Sequence, residues 1–454
     1  MKKIAIISLG CPKNQVDADM LCHRLMAAGY ETTAALEEAN AIIVNTCGFI
    51  ESAKQEAIEN ILEATTYKSG EAKPRVVVTG CLAERYREEI QKEIPEVDAT
   101  VGIGWNGGIL GNFDPNQLGD IVEILDRVFA DEKVEAFGPK DALSIEEKRI
   151  ISTPRHYAYL KIAEGCDNRC TYCAIPLIRG PLRSRSIDSV LTEARWLASE
   201  GVKELILVAQ DVTAYGDDLG KNGINELLAG LNAIEGIEWI RLLYAYPERV
   251  SDEFIDAMVQ NNKVVPYLDL PIQHINDEVL HRMNRKGTRE TVISAINRLR
   301  AAMPGMTLRT TLITGFPGET EEQFIELCEF VKATEFDRLG CFAYSEEEGT
   351  PAAKLEQMPN ELRESRAEQV MEIQAKVMAK KQAEKLGQTQ RVICDGMDEE
   401  TGLYLCRSAA DAPEIDAVTY VRSDAVPIAE GEFLTVKIID SDVFDLYAER
   451  VEEN

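Results

Sequence analysis

The sequence predicts an α/β protein in three parts: an N-terminal open parallel-sheet domain at 1–135, a partial (β/α)6 barrel with a C-terminal linker helix at 152–385, and a small all-β barrel at 386–454. Three observations support this. Short β-rich runs alternate with helical stretches from the first residues, the alternation restarts at Tyr157, and the final part shows period-two apolar alternation broken by turns. A chain of 454 residues also exceeds what one hydrophobic core usually organises.

The N-terminal part contains three β-rich runs, KIAIISL, AIIVNT and RVVVTG, each followed by a helical stretch, at 15–28, 51–66 and 83–93. Strands that alternate with helices predict a parallel sheet. The glycine-rich sequence at 103–120 predicts a surface loop. A short helix at 119–130 and a charged segment at 131–153 are predicted to follow it.

The central part repeats the alternation six times, which predicts a barrel or an open partial barrel with its ligands at the carboxyl ends of the strands. Strands are predicted at AYLKIA, ELILVAQ, WIRLLY, PYLDL, LRTTLI and RLGCFAY, with helices at 188–200, 223–232, 251–260, 288–302 and 320–333. One long helix, 361–385, ends this part. The runs RVICDG, LYLCRS and FLTVKIID then predict a five-stranded barrel of the OB type.

The composition indicates a soluble protein of the reducing cytoplasm. No apolar run approaches the ~18 residues of a membrane span, and the start MKKIAIISLGCPKN resembles a buried strand more than a signal peptide. The eleven cysteines are therefore expected as thiols used for metal or redox chemistry. The net charge of −29 favours basic partners over phosphate backbones, or serves solubility alone.

Three cysteines stand at C-x3-C-x2-C in GCDNRCTYCAIP, namely Cys166, Cys170 and Cys173. They follow the first barrel strand, where a barrel places its active site. Three thiolates can hold a 4Fe–4S cluster and leave one iron open, whereas ferredoxin-type carriers use four cysteines per cluster. The alternative is a zinc knuckle with a remote fourth ligand.

A second set of three cysteines is spread along the N-terminal part. Cys11, Cys47 and Cys81 each follow a predicted strand, with separations of 36 and 34 residues. The carboxyl ends of parallel strands share one edge of a sheet, so these thiols are expected to converge as a second three-thiolate metal site. The alternative is a coincidence of buried cysteines. The remaining cysteines are expected in the core, at positions 22, 328, 341, 394 and 406.

The C-x3-C-x2-C motif, with an aromatic residue before the last cysteine and a β/α barrel around it, resembles the radical S-adenosylmethionine superfamily. Together with the N-terminal cysteines and a C-terminal barrel similar to a TRAM domain, the whole chain resembles the methylthiotransferase family. The segments LGCPKN (9–14), VAQDVTAYG (208–216), YLDLPIQH (267–274) and TGFPGET (314–320) look most like its RimO type. The tRNA-modifying type usually carries GCQMN in place of GCPKN.

The resemblance implies a transferase with two 4Fe–4S clusters that uses two S-adenosylmethionine molecules per turnover. The cluster on Cys166, Cys170 and Cys173 would cleave S-adenosylmethionine to a 5′-deoxyadenosyl radical. The cluster on the N-terminal cysteines would present the sulfur that is methylated and transferred. The implied substrate is the β-carbon of an aspartate in the basic ribosomal protein uS12. An electron donor and a sulfur source are implied as further partners, and nothing in the sequence demands more than a monomer.

Other cofactor contacts are also implied by the resemblance. They are Tyr172, Gln210, Asp211, Gln273, Gly315 and Gly318. Gln210 and Asp211 would otherwise be a solvated strand end, and the two glycines would be part of an architectural turn. His274 is expected to be structural. Three arginines after the cysteine loop either steer an acidic substrate group or balance nearby acids: Arg179, Arg183 and Arg185.

The charge of the C-terminal barrel distinguishes between the hypothesis of a protein substrate and that of an RNA substrate. From Leu386 onward, five basic residues stand against sixteen acidic ones, a net charge of −11. An RNA-binding barrel needs a positive groove with stacking aromatics. The charge therefore favours a protein substrate, with tRNA methylthiolation as the alternative. A third hypothesis is a non-catalytic iron–sulfur protein that transfers electrons. It does not explain the β/α barrel or why each cysteine set lacks a fourth ligand.

Overall fold

The computed structural model describes residues 1–104, 121–140, 148–423 and 426–451, and the chain divides into two compact units. The first unit contains Met1–Ser152, Lys161–Arg185 and Ser345–Ala353; the second contains Thr153–Leu160, Ser186–Tyr344 and Lys354–Asn454. The units do not follow chain order, because two segments from later in the chain belong with the N-terminal part. The three domain boundaries expected from the sequence stay predictions.

The strands in chain order are β1 (Lys3–Ser8), β2 (Glu31–Thr32), β3 (Ala41–Thr46), β4 (Arg75–Gly80), β5 (Ala99–Val101), β6 (Val134–Ala136), β7 (Tyr157–Lys161), β8 (Ala163–Glu164), β9 (Arg183–Ser184), β10 (Glu204–Val208), β11 (Trp239–Leu242), β12 (Val264–Asp269), β13 (Thr307–Thr314), β14 (Arg338–Ala343), β15 (Thr389–Met397), β16 (Tyr404–Ser408), β17 (Thr419–Arg422), β18 (Phe433–Ser441) and β19 (Leu446–Arg450).

The α-helices in chain order are α1 (Pro12–Ala27), α2 (Glu51–Thr66), α3 (Cys81–Arg85), α4 (Arg87–Glu93), α5 (Ile121–Phe129), α6 (Ile175–Arg179), α7 (Ile187–Ser199), α8 (Ile224–Asn232), α9 (Asp252–Gln260), α10 (Asp277–Arg282), α11 (Arg289–Ala302), α12 (Glu321–Thr334) and α13 (Asn360–Ala383).

The first unit is built on a parallel six-stranded sheet with the order β2-β1-β3-β4-β5-β6. Its central strands β3 and β4 are mostly buried apolar runs because both faces are covered. Ile43 enters the hydrophobic core on one face and Val44 the core on the other. The strand order reverses between β1 and β3, and in open α/β sheets such a switch point opens a crevice beyond the carboxyl ends of the strands.

The second unit contains an open six-stranded sheet and a closed barrel. The sheet order, β14-β13-β12-β11-β10-β7, follows the chain, and the pairs from β10 to β14 are parallel. The barrel closes in the order β15-β16-β17-β19-β18, with β17 and β19 parallel and its other pairs antiparallel. The predicted α/β class, the open partial barrel and the five-stranded barrel are all confirmed.

Local sequence signals account for where many helices begin. Five helices of the second unit start after a residue whose side-chain oxygen accepts a backbone N–H of the first turn, as favoured helix caps do. These residues are Ser186, Ser251, Asn276, Thr288 and Thr320. The helices predicted at 188–200, 251–260, 288–302 and 320–333 therefore begin and end within one residue of those observed. By contrast, α1 begins three residues before its predicted start, the helix predicted at 83–93 is divided into α3 and α4, and α10 is not predicted.

The predictions missed the shortest elements. Strands β5 and β6 have three residues each, and β6 lies inside the segment expected to be merely charged. The predicted glycine-rich loop at 103–120 lies, from residue 105 onward, outside the described residues. Within the described ranges, no helix is both long enough and apolar enough to cross a membrane.

Candidate metal centre

Cys11, Cys47 and Cys81 are here called the sheet-edge trio. Cys47 and Cys81 directly follow β3 and β4, and Cys11 follows β1 after two residues. These are adjacent strands at the switch point of the first sheet, so topology brings together residues that are far apart in sequence. A Cβ atom added to Gly10 would lie 2.6 Å from Cβ and 2.9 Å from Sγ of Cys47, so the chain before Cys11 touches Cys47. The chain around Cys11 and Cys47 therefore comes together at the sheet edge, and the trio's role as a metal site stays a prediction.

The backbone around Cys11 is specialised for this position. Gly10 has a φ of +90°, which L side chains rarely adopt, and it turns the chain from β1 into α1. Cys11 is the N-cap of α1, and Pro12 occupies the first helical position, where its missing N–H costs nothing. A thiolate is stabilised at a helix N-terminus by the helix dipole, so this position suits a metal ligand.

Asn14 explains why the LGCPKN segment is needed at the sheet edge. Its side chain is buried, and Nδ2 donates to the carbonyl oxygen of Leu9 at 2.7 Å, with longer contacts of 3.4 Å to the carbonyls of Asn45 and Thr46. Asn45 in turn donates through its side chain to the carbonyl of Asn14 at 2.9 Å. These bonds link the ends of β1 and β3, from which Cys11 and Cys47 follow.

Cys166, Cys170 and Cys173, here called the loop trio, lie on one loop of the first unit. Strands β8 and β9 pair in antiparallel fashion and hold the two ends of the loop together. The backbone N–H of Cys166 donates to the carbonyl of Gly180 at 3.1 Å, and that of Cys173 donates to the carbonyl of Cys170 at 3.1 Å. Gly165 has a φ of +79°, and a Cβ there would lie 1.9 Å from the carbonyl oxygen of Pro181. Only glycine fits at the start of this loop.

Each trio is close enough for its thiols to perturb one another. Burial, followed by the neighbouring Cys81 and Cys11, raises the pKa of Cys47 to about 12. Burial and the neighbouring Cys170 likewise raise the pKa of Cys173. Thiolate is the form that binds metals, so metal binding at either trio has to displace protons from thiols that hold them tightly.

The two trios belong to the same compact unit, and the helices next to them pack against each other. Helix α3 begins with Cys81, α6 follows Cys173, and these two helices are in contact. Cys81, Ala174 and Ile178 form one buried apolar cluster together with Ile103. The sequence motifs alone do not predict that the two cysteine sets are neighbours.

Sequence reasoning also missed an acidic anchor beside the loop trio. Glu347 is almost fully buried in the segment 345–353, and its carboxylate accepts from Arg85 at 2.7 Å and from Lys54 at 3.4 Å. In the same segment the N–H of Ala352 donates to the carbonyl of Thr171, inside the cysteine loop, at 3.0 Å. The sequence SEEEGT resembles a solvated acidic turn, so nothing in it indicated this packing.

The arginines after the cysteine loop are mostly internal. Arg179 and Arg185 are buried, and Arg185 donates to the carbonyl of Lys161 at 2.9 Å. Arg179 pairs with Asp17 and Glu164, which is the acid-balancing role rather than the substrate-steering role. Arg183 is half-buried on β9. Tyr172, expected to contact the cofactor, is half-buried between Thr171 and Cys173, and its role stays a prediction.

In the second unit, Gln273 is the best-supported of the expected cofactor contacts. It is a non-glycine residue with a φ of +69° just beyond β12, held by hydrogen bonds to Thr311 and Ile313 of β13. Among the described side chains, its Oε1 atom is one of the buried polar atoms without a hydrogen-bond partner. A strained backbone and an unsatisfied buried oxygen are typical of a ligand site. The residue therefore fits a polar cofactor group.

The other polar residues singled out in this unit differ in how the protein holds them. Asp211 is buried and accepts from the backbone N–H of Thr213 at 3.0 Å, with a further short bond from the Thr213 hydroxyl. Gln210 is half-buried beside it. His274 is fully buried, accepts the N–H of Asn276 at Nδ1 and faces Glu319 with Nε2 at 3.5 Å, as expected of a structural histidine.

The glycines of the TGFPGET segment are surrounded by protein. A Cβ on Gly315 would lie 2.3 Å from Cγ of Arg363, and one on Gly318 would lie 3.3 Å from Nη1 of Arg282. Both glycines have positive φ, at +68° and +80°. These contacts favour the architectural turn, and their part in cofactor binding, like that of Gln210 and Asp211, stays a prediction.

The donor sets fit iron–sulfur clusters better than single ions. Within the described residues, no group of three or more His, Cys, Asp or Glu side chains is arranged to hold one metal ion. A 4Fe–4S cluster binds each cysteine at a different iron, so its ligands stand farther apart than those of a single zinc. Two sets of three thiols supply the type of ligand that such clusters take, and the binding of a cluster at either set stays a prediction.

Three family models match the chain. They are the Radical SAM superfamily at residues 160–331, the TRAM domain at 386–451, and Uncharacterized protein family UPF0004 at 3–102. The first covers the loop trio, and the third covers the sheet-edge trio. The matches to the Radical SAM superfamily and the TRAM domain confirm those two resemblances, which were inferred from the sequence motifs.

Curated relatives are similar over the full length. The ribosomal protein uS12 methylthiotransferase RimO of Acetivibrio thermocellus is 47% identical over 463 aligned residues, which cover 100% of this chain and 99% of the relative. The protein of the same name from Desulfitobacterium hafniense is 46% identical, with 99% of each chain covered.

Solved structures show a similar fold at low identity. The radical S-adenosylmethionine methyltransferase TsrM from Kitasatospora setae aligns with a TM-score of 0.56 at 15% identity, covering 78% of this chain and 75% of that one. The cobalamin-dependent S-adenosylmethionine radical enzyme OxsB aligns with a TM-score of 0.51 at 12% identity, covering 82% and 56%. At such identities the likeness concerns the fold alone.

Proposed function

This chain belongs to the RimO family of radical S-adenosylmethionine methylthiotransferases, and on that premise we propose that it attaches a methylthio group to the β-carbon of an aspartate in ribosomal protein uS12. The proposal includes two 4Fe–4S clusters and two molecules of S-adenosylmethionine per turnover. The observation that carries it is the presence of two three-cysteine sets in one compact unit.

The loop trio would hold the cluster that binds S-adenosylmethionine, and the sheet-edge trio would hold the cluster that carries the sulfur to be transferred. When bound, these groups supply a carbon-centred radical and a methylthio group. The chain itself supplies three thiolate ligands per site, a loop closed by β8 and β9, and a sheet edge braced by Asn14. Gln273, with its buried oxygen, would orient a donor group of the cofactor.

The C-terminal barrel supports a protein substrate over RNA. Tyr420 and Tyr447 stack on its surface, with ring centroids 5.4 Å apart and planes inclined by 18°. Burial and the nearby Asp445 raise the pKa of Tyr420, and Asp442 acts in the same direction on Tyr447. Both rings are half-buried. Carboxylates beside such aromatic rings repel phosphate groups and attract Arg and Lys side chains. A basic ribosomal protein fits this surface.

A deletion strain tests the substrate. Mass spectrometry of uS12 and of total tRNA should show that the methylthio group on the aspartate of uS12 is lost while tRNA modifications remain. Complementation with the intact gene should restore the mark, and complementation with a Cys170→Ala gene should not. Loss of a tRNA methylthio group with uS12 unchanged would overturn the proposed substrate in favour of the tRNA alternative.

The proposed reaction also requires an electron donor for the loop cluster and a sulfur source for the sheet-edge cluster. The need for both partners, the cytoplasmic location and the monomeric state stay predictions from the sequence.

A further inference from the structure

Arg179 links the helix that follows the loop trio to the sheet-edge trio through a single buried side chain. It is the last residue of α6, which follows the loop trio, and only 2% of its surface is exposed. Its Nη2 atom lies 3.4 Å from Sγ of Cys81, in the sheet-edge trio, and 3.1 Å from Oδ1 of Asn14. One edge of a guanidinium group therefore faces a proposed cluster ligand.

The other edge of Arg179 is held in place by carboxylates. Nη1 donates to Asp17 at 2.5 Å and to Glu164 at 3.0 Å. The fully buried ammonium group of Lys161 bonds to the same two carboxylates. The two cations and two anions thus balance one another's charge. Their hydrogen bonds fix the planar guanidinium so that its Nη2 edge faces the sulfur of Cys81.

The sulfur of Cys81 receives a cationic donor, whereas Cys47 receives the neutral backbone N–H of Phe49. Hydrogen bonds to cluster sulfurs and nearby charge are among the factors that set the reduction potential of an iron–sulfur cluster. When one electron enters a cluster from a donor, its net charge falls by one. A buried cation beside a ligand sulfur stabilises this more negative state.

We propose that Arg179 is a positioning residue that raises the reduction potential of the sheet-edge cluster through Cys81, while Asp17 limits the effect by sharing the guanidinium charge. This assignment rests on the proposed function, because it requires a cluster on the sheet-edge trio. It adds a role for a side chain that the sequence presented only as one of three arginines after a cysteine loop.

The test isolates the sheet-edge cluster in the full-length chain. In a background with Cys166, Cys170 and Cys173 replaced by alanine, the reconstituted protein is titrated anaerobically with dithionite while the cluster is followed by electron paramagnetic resonance. Arg179→Gln should lower the midpoint potential by at least about 59 mV, which corresponds to a tenfold change in the ratio of reduced to oxidised cluster. Asp17→Asn should shift it in the opposite direction.

Arg149→Gln is the matched control, because Arg149 is also buried in the first unit but pairs with Asp19 at 2.8 Å. Its potential should equal that of the background protein. If Arg179→Gln does not retain iron, Asp17→Asn decides, and a potential that does not rise overturns the proposal. The proposal is also overturned if Arg179→Gln and Asp17→Asn both have the midpoint potential of the background protein. A background protein without bound iron would instead refute the two-cluster scheme itself.

Discussion

The two cysteine trios of the first unit each bring three thiols together, by opposite routes. The loop trio comes from eight consecutive positions, Cys166 to Cys173, on a loop closed by a two-stranded ribbon. The sheet-edge trio comes from three strand ends, and its geometry depends on the order of β1, β3 and β4 in the sheet. A local site needs a loop of the right shape, whereas a distributed site needs the whole sheet to be correct.

This difference predicts which changes disable one site and spare the other. The loop trio depends on its own backbone, as Gly165 against Pro181 illustrates. The sheet-edge trio depends on contacts between residues remote in sequence, such as Gly10 against Cys47. Because the two trios use different cysteines, iron content and chemistry report on each proposed site separately.

The largest effect is expected from replacing one cysteine in each trio. Cys170→Ala should abolish release of 5′-deoxyadenosine and remove about half of the iron, because one of two four-iron clusters loses its ligands. Cys47→Ala should remove a similar share of iron and stop methylthio transfer, but spare cleavage of S-adenosylmethionine. Iron assays and product analysis with dithionite measure both.

Cys22→Ala on α1 is the matched control, because Cys22 belongs to neither trio and is half-buried. It should keep all iron and both activities. If Cys47→Ala loses both cleavage of S-adenosylmethionine and methylthio transfer, the two cysteine trios do not have separate roles.

A smaller effect is expected from Gly10→Ala, which probes the distributed site without removing a ligand. The positive φ costs about 1–2 kcal/mol for an L residue, and the new Cβ displaces Cys47. We expect loss of sheet-edge iron with cleavage of S-adenosylmethionine retained. Gly29→Ala has the same backbone strain, with a φ of +89°, but no atom within 4 Å. Gly29→Ala should therefore lower the unfolding temperature but keep all the iron. If Gly10→Ala and Gly29→Ala lose the same amount of iron, the contact between Gly10 and Cys47 is not what holds the sheet-edge site.

The smallest effect concerns the metal-free protein. The pKa of Cys47 is raised to about 12 by burial and by its two partner thiols, so the thiol keeps its proton throughout the range from pH 8 to 10. Only thiolate is alkylated, so its rate with iodoacetamide should rise about tenfold per pH unit across this range. A free cysteine derivative, with a pKa of about 8.5, should level off instead. Peptide mass spectrometry measures the rate; levelling near pH 9 for Cys47 would contradict its burial among the other thiols.

The sequence by itself predicted the longer elements and the candidate ligands. The spacing of Cys166, Cys170 and Cys173 is local, and the position of Cys11, Cys47 and Cys81 after β-rich runs is visible without a structure, because strands and helices are marked by short-range periodicity. The alternation of runs also indicated the open sheet and the five-stranded barrel. Very short strands such as β5 were not predicted, because three residues are too few to show an alternation of apolar and polar side chains.

Only the tertiary structure decided which residues surround those ligands. It buried Glu347 next to the cysteine loop and placed the guanidinium of Arg179 against Cys81, 98 residues away in sequence. It also filled the space beside Gly315 with Arg363, which a glycine in a turn does not reveal. The physical reason is that periodicity encodes which face of an element is buried, whereas the partners it meets there depend on the packing of distant segments.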